Sequence, residues 1–369
     1  MIVVYIISDI DKALAFEWIS DSFRKRNISI SFILLNPENS AIEQYLLANN
    51  LSVIRIPVRG KKDWPKALRE IKRVLKQWNP EVIHCHLLQA SILGLLAAWW
   101  LRIPKRFFTR HHSTLHHQYH KKGVLWDKLC NTLATDIVAV SKNVKNILVD
   151  RENVAPEKVH IIHHGFQWDE FRKVTSGQVR ILRNRYTLGD ESFVIGCIAR
   201  FTELKGIQYL IPAFKRFHRK HPRSILVLAN THGAYKKHIN MLLEELPSNS
   251  YRLVSFEPAL GVLYQCFNLF VHVPINPYIE AFGQIYIEAL AAGVPSVFTL
   301  SGIAPEFIQH EKNALAVPFR DDDAIYEALE RLWGEPLLRE QLSREGWKSV
   351  QKEFRLEKMI DFLEVLYEK

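Results

Sequence analysis

Short apolar runs rich in Ile and Val alternate with longer helical patterns along this chain, in one block up to about residue 165 and in a second block from residue 193. Such runs are typical of parallel strands that helices cover on both faces. Alternation of strand and helix predicts a doubly wound α/β domain, so the two blocks predict two such domains. The predicted strands are Ile2–Ser8, Ser29–Leu35, Val53–Ile56, Val82–His84, Arg106–Thr109, Asp136–Val140, Val159–Ile162, Phe193–Ile198, Ser224–Leu228, Tyr251–Ser255, Leu269–His272, Pro295–Phe298 and Leu315–Val317.

The alternation weakens from Gln167 to Asp190, where the residues are polar, charged and irregular in spacing, so the domain boundary is predicted there. The first domain then covers residues 1–170 and the second covers residues 185–354. A chain of 369 residues with 48 % hydrophobic side chains can bury two cores. Open parallel sheets bind ligands at the carboxyl ends of their strands, and two such edges facing across a cleft would bring two substrates together.

The formal net charge of +10 favours an anionic partner, which includes nucleic acid, an acidic membrane face and a phosphorylated substrate. Lys and Arg are dispersed along the chain, and no recognised nucleic-acid-binding motif is present. We therefore expect no nucleic-acid partner.

The remaining composition points to a reducing compartment. The four cysteines show neither a CxxC pair nor zinc-ribbon spacing, so no disulfide framework is expected. No basic leader precedes Ile2–Ile7, and the most apolar stretch, Ile92–Leu101, is shorter than the roughly 20 residues of a membrane span. A buried crossover helix and a cytoplasmic location are expected. The cysteines are Cys85, Cys130, Cys197 and Cys266.

The strongest motif runs from Glu280 through Gly283 to Glu288. Gly283 precedes a helical pattern, so the Phe282–Gln284 turn should expose helix N-terminal amides, which together with the helix dipole bind anions. Glu280 lies just before this turn and Glu288 about one and a half helical turns beyond it. Carboxylates accept hydrogen bonds from sugar or ribose hydroxyls. An ordinary helix with an acidic N-terminus is the alternative interpretation.

A second motif, Arg200 to Gly206, follows the first predicted strand of the second domain, where such folds place phosphate loops. Arg200 at the end of the strand and Lys205 at the start of the helix bring two cations close together. Fixed cations stabilise the negative charge that a departing nucleoside diphosphate develops. A solvated basic turn is the alternative.

A third motif is a histidine-rich tract that begins at His111, directly after a predicted strand. A histidine at the carboxyl edge of a sheet can hydrogen-bond a substrate or move a proton. Such a tract can also bind zinc, but no cysteine or acidic ligand joins it here, and a surface loop without a role is the other alternative. The tract comprises His111, His112, His116, His117 and His120.

Taken in order, these motifs resemble the retaining glycosyltransferases of the GT-B fold, specifically family 4, over nearly the whole chain. GT-B enzymes have two Rossmann-like doubly wound domains that face each other across a cleft. Each segment alone is a modest signal, but their order is specific. The segments that carry the resemblance are Pro80–His86, Thr109–His111, Asp136–Ser141, Val159–Gly165, Ala199–Gly206 and Glu280–Glu288.

The resemblance implies roles for individual residues. Arg200 and Lys205 would hold the donor diphosphate, Glu280 would contact the donor sugar, Glu288 the ribose, and His111 would lie near the reacting sugar. His111, Arg200, Lys205 and Glu280 are thus the expected catalytic residues. The expected donor-binding residues are Arg200, Lys205, Glu280, Phe282, Gly283, Gln284, Ile285 and Glu288.

The resemblance also implies a reaction. The enzyme would move a sugar from a nucleotide sugar, most commonly a UDP-sugar, to a glycan, lipid-linked or other hydroxyl acceptor, with retention of anomeric configuration. It would use neither metal nor cofactor and would serve the synthesis of cell-surface polysaccharide or glycoconjugate. A C-terminal helix over about residues 355–369 would pack back on the first domain.

Some segments depart from the family pattern, and other activities stay open. Ser8-Asp9-Ile10-Asp11 replaces the family's Gly-Gly loop after the first strand. It also lacks the glycines of a dinucleotide fingerprint, which argues against NAD or FAD. A nucleotide-sugar epimerase, a phosphorylase and a non-catalytic nucleotide-sugar-binding homologue are the alternatives.

Peripheral membrane binding is a further hypothesis. Many relatives act on lipid-linked acceptors at the cytoplasmic face, and basic clusters attract anionic headgroups by about 1 kcal/mol per residue. The first domain carries several such residues, namely Arg24, Lys25, Arg26, Lys61, Lys62, Lys121 and Lys122.

Overall fold

The computed structural model describes residues 1–369 except for the side chain of Glu170, and the chain divides into two compact units. The first unit joins Met1–Phe166 to the last residues, Phe354–Lys369, and the second unit is the continuous segment Gln167–Glu353. Each unit is built on one parallel sheet with flanking helices, so the predicted α/β class is confirmed.

The sheet of the first unit has seven strands, all parallel. They are β1 (Ile2–Ser8), β2 (Ser29–Leu35), β3 (Ser52–Arg55), β4 (Val82–His86), β5 (Lys105–Arg110), β6 (Asp136–Ala139) and β7 (Val159–Ile161). Their order in the sheet is β3-β2-β1-β4-β5-β6-β7. The order reverses between β1 and β4, which is the switch point where sheets of this kind open a crevice for a ligand.

Helices connect these strands. They are α1 (Leu14–Lys25), α2 (Ala41–Ala48), α3 (Trp64–Trp78), α4 (Leu88–Trp100), α5 (Leu115–Tyr119), α6 (Lys121–Leu133) and α7 (Lys142–Asn146), with 3₁₀ turns at Lys61–Asp63 and Pro156–Lys158 and a π-helical turn at Ile147–Arg151. The apolar stretch that begins at Ile92 lies in α4, whose central residues are buried, as the sequence predicted. Ser141 caps α7 by accepting a hydrogen bond from the Val144 amide.

The sheet of the second unit has six strands, all parallel. They are β8 (Phe193–Ile198), β9 (Ser224–Ala229), β10 (Tyr251–Val254), β11 (Leu269–His272), β12 (Ser296–Phe298) and β13 (Leu315–Ala316). The order β10-β9-β8-β11-β12-β13 places the switch point between β8 and β11. Every residue of β8 is buried, because helices cover both faces of the sheet.

The helices of the second unit follow the same alternation and end in a helical tail. They are α8 (Asp169–Arg172), α9 (Ser176–Arg185), α10 (Ile207–Lys220), α11 (Lys236–Leu243), α12 (Leu260–Gln265), α13 (Gln284–Ala291), α14 (Ala304–Phe307), α15 (Asp322–Gly334) and α16 (Pro336–Glu353), with a 3₁₀ turn at Glu203–Lys205. All predicted strands are present, and their ends differ from the prediction by no more than two residues.

The interpretation of Gln167–Asp190 as irregular was wrong. The segment contains α8 and α9, and it belongs to the second unit. A capping box starts α9: the Thr175 hydroxyl accepts a hydrogen bond from the Gln178 amide at 3.2 Å, and the Gln178 side chain accepts one from the Thr175 amide at 2.9 Å. The division between the units falls at Phe166, at the start of this segment.

The last helix, α17 (Leu356–Glu368), is part of the first unit. Its Ile360 and Leu363 are buried in the same apolar core as the β1 side chains. The Tyr367 hydroxyl lies 2.8 Å from the Tyr5 hydroxyl and also bonds His84 Nδ1. The first strand and the last helix are therefore joined by a buried polar contact as well as by packing.

Candidate functional site

A cavity of about 450 Å³ opens at the carboxyl edge of the second sheet, beside its switch point. The motif after β8 and the motif after β11 both contribute to it. The lining residues are Ile198, Ala199, Arg200, Lys205, Asn230, His232, Phe256, His272, Glu280, Gly283, Gln284 and Ile285. The sequence-predicted residues Arg200, Lys205, Glu280, Gly283, Gln284 and Ile285 are thus brought together around one space.

Arg200 and Lys205 reach the cavity through a tight connection between β8 and α10. Arg200 is exposed, and the 3₁₀ turn after it ends at Gly206, whose φ is +73°. A Cβ atom at Gly206 would lie 1.8 Å from the Val273 carbonyl oxygen, so this position requires glycine. The close approach brings Lys205 next to the chain that leaves β11.

Lys205 and Glu280 form an ion pair at the cavity wall. Lys205 Nζ lies 2.5 Å from Glu280 Oε1, and both side chains are largely buried, at 18 % and 12 % exposed. Burial by itself would raise the pKa of Glu280, but the charge of Lys205 and a hydrogen bond from His272 outweigh it and hold the pKa well below its usual range. Glu280 is therefore a carboxylate at neutral pH.

Contacts from the loop after β12 hold the backbone of Glu280 in position. Its amide donates a hydrogen bond to Ser301 Oγ at 3.1 Å. Gly302, with φ of +63°, lies so close that a Cβ atom there would be 2.6 Å from the Cβ of Glu280. A second glycine-dependent contact thus sets the position of the Glu280 carboxylate.

The N-terminus of α13 provides amides at the cavity. Gly283 is the N-cap residue with φ of +86°, and Gly283, Gln284 and Ile285 all line the cavity. The side chain of Phe282, which was also expected to bind the donor, is buried and does not line the cavity. The Phe282 carbonyl accepts a hydrogen bond from the Ile303 amide at 2.9 Å. A helix N-terminus beside two cations favours a bound anion.

Glu288 lies further from the space than the sequence suggested. It is 6 % exposed and is not among the lining residues. Its Oε2 accepts a hydrogen bond from the Tyr264 hydroxyl at 3.0 Å, and its Oε1 accepts one from Gln284 Nε2 at 2.8 Å. Through this second bond Glu288 orients the Gln284 side chain, which itself lines the cavity.

His111 lies in the first unit, directly after β5, as predicted. Its Nε2 is 3.1 Å from His86 Nδ1, and its ring stacks on His164 with 5.5 Å between centroids. Burial, with the neighbouring histidines, lowers the pKa of His111 well below its usual value, so the ring is neutral at physiological pH. His111 lines a separate cavity of about 220 Å³ within the first unit.

The structure corrects the expectation that no acidic residue joins the histidine tract. Asp127 of α6 lies 2.7 Å from His116 Nδ1 and 3.2 Å from His112 Nε2. The same carboxylate pairs with the buried Arg110, which also pairs with Glu152. By distance, His112, His116 and Asp127 could share one ion, but the Arg110 guanidinium lies 3.0 Å from the same carboxylate oxygen as His116. The positive guanidinium opposes a metal ion there.

Sequence reasoning missed His272, the last residue of β11. It is 1 % exposed and its Nε2 lies 3.1 Å from Glu280 Oε1. Its spacing from Glu280 matches no catalytic pattern, and a histidine at the end of an apolar run is an ordinary core residue by sequence alone. Only the path of the chain after β11 brings the two side chains together.

Two family models match the chain in sequence. The model "Glycosyltransferase Family 4" matches residues 19–169, and "Glycosyl transferases group 1" matches residues 178–349. Among individual proteins, the chain is similar to the capsular polysaccharide biosynthesis glycosyltransferase CapM of Staphylococcus aureus, with 25 % identity over 82 % of this chain and 80 % of CapM. It is also similar to the alpha-monoglucosyldiacylglycerol synthase of Acholeplasma laidlawii, with 24 % identity over 72 % of each chain.

Solved structures show the same fold. Anabaena Alr3699/HepE in complex with UDP and glucose superimposes with a TM-score of 0.85 over 100 % of both chains, at 16 % identity. The lipopolysaccharide outer core galactosyltransferase WaaB, in its apo form, has a TM-score of 0.73 over 100 % of this chain and 99 % of WaaB, at 13 % identity.

None of the helices in the described part of the chain combines the length and the hydropathy that crossing a bilayer requires. The matching families, the relatives and the shared fold all agree with the resemblance of the motifs. The chain therefore belongs to the family 4 glycosyltransferases, the glycosyl transferases group 1, and has the GT-B fold.

Proposed function

We propose that this glycosyltransferase transfers a sugar from a UDP-sugar to a hydroxyl acceptor with retention of configuration and without a metal ion. The observation that carries the proposal is the cavity in which Arg200, Lys205 and the N-terminus of α13 converge next to Glu280. UDP as the nucleotide is supported by the likeness of fold to a protein solved with UDP and glucose.

The convergent positive groups suit a diphosphate. Arg200 and Lys205 supply two cations, and the amides at Gly283 and Gln284 add the positive end of a helix dipole. As the bond between the anomeric carbon and the phosphate oxygen breaks, charge grows on the diphosphate, and these groups stabilise it. They occupy the role that a divalent cation has in other transferases.

The acceptor hydroxyl would attack from the face that the phosphate leaves. One bond forms between the acceptor oxygen and the anomeric carbon, the bond to the phosphate breaks, and the departing phosphate oxygen takes the acceptor proton. Glu280 accepts hydrogen bonds from the donor sugar, because it is a carboxylate at neutral pH. Glu288 acts on the donor through Gln284, whose side chain it orients.

His111 is a neutral hydrogen-bonding group in this proposal. Its lowered pKa excludes a standing positive charge at physiological pH, so it would bind a sugar hydroxyl of a substrate and would not act as a cationic acid. The hydrogen bond between His111 Nε2 and His86 Nδ1 restrains the direction of the His111 ring.

The acceptor is proposed to be a glycan or a lipid-linked molecule, as the activities named for the relatives suggest.

A surface patch on α5 and α6 supports the proposal that the enzyme binds an anionic membrane. Its apolar members are exposed, with Leu115 at 44 %, Tyr119 at 53 % and Leu125 at 69 %, and they stand beside the exposed Lys121 and Lys122. Apolar side chains flanked by lysines suit the headgroup region of a bilayer.

Vesicle flotation tests the membrane part of the proposal. Wild type should float with anionic vesicles at low salt, and the Tyr119→Ser, Leu125→Ser double variant should float less. Ile181→Ser, which alters an equally exposed side chain in the second unit, serves as the matched control. Equal flotation of all three proteins would show that this patch does not bind the membrane.

A nucleotide-release assay tests the reaction itself. UDP-, GDP- and ADP-sugars are offered with EDTA present, to wild type and to Glu280→Ala, while binding is followed by thermal shift. Slow, EDTA-resistant release from UDP-sugar alone, reduced in the variant to a small but measurable rate, is the expected result. Release from a different donor would show that the nucleotide is not UDP. Release that EDTA abolishes would show that the reaction needs a metal ion. The absence of both binding and release would overturn the proposed function.

A further inference from the structure

His272 is buried, and among the described residues Glu280 is the one to which its side chain hydrogen-bonds. It ends β11, is 1 % exposed, and packs edge-on against the Tyr286 ring with 4.9 Å between centroids. The Tyr286 hydroxyl is itself held by the Thr299 carbonyl oxygen at 2.9 Å. The end of the strand on one side and the Tyr286 ring on the other restrict the movement of the imidazole.

The chemistry of the pair assigns the proton of His272. A carboxylate only accepts hydrogen bonds, so Nε2 of His272 carries the hydrogen that it donates to Glu280 Oε1. Burial lowers the pKa of His272, so the ring is neutral and Nδ1 has no hydrogen. Among the described residues, Nδ1 has no hydrogen-bond partner, which suits a bare lone pair better than a buried N–H group.

Two donors share one oxygen of Glu280, and they respond differently to an arriving diphosphate. Lys205 Nζ and His272 Nε2 both bond Oε1. The Lys205 ammonium is a full charge on a flexible chain, so a diphosphate in the cavity attracts it away from Glu280. The neutral imidazole feels no such attraction, and its packing holds it in place.

We infer that His272 is a positioning residue, which keeps the Glu280 carboxylate directed at the donor sugar when Lys205 turns to the diphosphate. The inference rests on the proposed function, because it needs Glu280 to bind the sugar. It predicts that loss of His272 affects transfer of the sugar but not affinity for the nucleotide, since Arg200, Lys205 and α13 still hold the diphosphate.

Kinetics of two variants and a control test this. His272→Leu should lower kcat for nucleotide release from the donor about tenfold or more, the effect of a lost hydrogen bond to a charged group. Its Kd for UDP should stay within about twofold of wild type, which also shows that it folds. His272→Gln places an amide N–H where Nε2 was and should restore most of kcat. His218→Leu is the control, because His218 bonds Ser224 at the opposite, amino end of the strands.

A double-mutant cycle separates positioning from general damage. In the Glu280→Ala background, His272→Leu should cause no further loss, because the group it positions is gone. An equal loss in both backgrounds, or full kcat in His272→Leu, would overturn the inference while leaving the proposed function intact. If wild type binds UDP but releases no nucleotide from any donor sugar, the proposed function fails and the inference falls with it.

The tautomer provides a readout that does not depend on turnover. Nitrogen NMR of the histidine side chains should show His272 with its hydrogen on Nε2, both alone and with UDP bound. A hydrogen on Nδ1, or a change of tautomer when UDP binds, would contradict the positioning role even if the enzyme is active.

Discussion

At the scale of single residues, neutral histidines surround the candidate reaction groups of both sheets. His84 and His86 lie buried at the carboxyl end of β4, and His272 lies buried at the end of β11. Burial is the largest cause of the lowered pKa of each. Neutral rings can donate and accept at once, so they fix the geometry of neighbouring groups without adding a charge of their own.

Removing Lys205 should change the pH dependence of the reaction. In Lys205→Met, the burial of Glu280 remains but the main charge that lowers its pKa is lost, so that pKa rises. Glu280 would then take up a proton at a higher pH, so the acid limb of the kcat/KM profile should shift to higher pH. UDP affinity should also fall.

The control for Lys205→Met is Lys215→Met, whose ammonium also pairs with a glutamate, Glu245, at 2.6 Å on the surface. That variant should keep the wild-type pH profile. An acid limb that is unmoved in Lys205→Met would show that Glu280 is not the group whose protonation limits activity.

Folding stability should decrease below pH 6.5 because of the buried histidines. Burial lowers the pKa of His84 to about 3, so between pH 3 and 6.5 the unfolded chain binds the proton that the folded chain does not. The full folding stability is present above pH 6.5 and decreases as the pH falls, by about 1 kcal/mol for this residue at pH 5.5.

Urea unfolding at pH 7.5 and pH 5.5 measures this effect. The difference should be smaller in His84→Gln than in wild type, whereas His310→Gln, which changes an exposed histidine, should keep the wild-type difference. Identical pH dependence in His84→Gln and wild type would mean that His84 is already protonated in the folded protein.

At the scale of elements, the site depends on turns that only glycine allows. Gly206 and Gly302 have positive φ and lie against the backbone or Cβ of residues that follow β11. The turn after β8 and the loop after β11 are thereby locked together, and their side chains share one cavity. The geometry of the Lys205–Glu280 pair is therefore a property of two loops and their glycines as much as of the pair.

Gly206→Ala should lower Tm and weaken UDP binding together. The new Cβ would meet the Val273 carbonyl oxygen, and a non-glycine residue at such a φ costs about 1–3 kcal/mol even without the clash. Gly334→Ala is the control, because nothing lies within 4 Å of a Cβ there, and it should leave UDP binding unchanged. Normal UDP affinity in Gly206→Ala would show that the turn does not position Lys205.

The sequence predicted the strands well because parallel strands buried on both faces are continuous apolar runs with clear ends. The turns after β8 and before α13 were predicted because their glycines and charges lie next to each other in the chain. Three groups were not predictable in this way. His272 meets Glu280, and Asp127 and Glu152 meet Arg110, only after separate elements have packed. The helix α9 was missed because its start is marked by a side-chain cap and not by hydrophobic spacing.

At the scale of the whole molecule, the first unit is built from two separate stretches of chain. The second stretch is almost entirely α17, which fills part of the first core. The buried side chains of this helix are Leu356, Met359, Ile360, Leu363, Leu366 and Tyr367. The first core is incomplete without them.

Deletion of residues 354–369 should unfold the first unit. Six buried apolar side chains contribute on the order of 10 kcal/mol, which is comparable with the whole stability of a domain. Limited proteolysis should then cleave within residues 1–166 while residues 167–353 stay resistant. A full-length control with the exposed Phe362 and Val365 changed to Ser should resist proteolysis throughout. Protection of residues 1–166 in the deletion variant would show that α17 only covers a complete core.

The junction of Tyr5, His84 and Tyr367 has a consequence for how the protein is made. A ribosome finishes residues 1–166 long before it reaches Tyr367, so the nascent first unit lacks a buried hydrogen-bond partner and one side of its core. The second unit is continuous and can fold as soon as it emerges. The order of folding during synthesis should therefore be the reverse of the order in the sequence, with the N-terminal unit exposed to chaperones until the last helix is released.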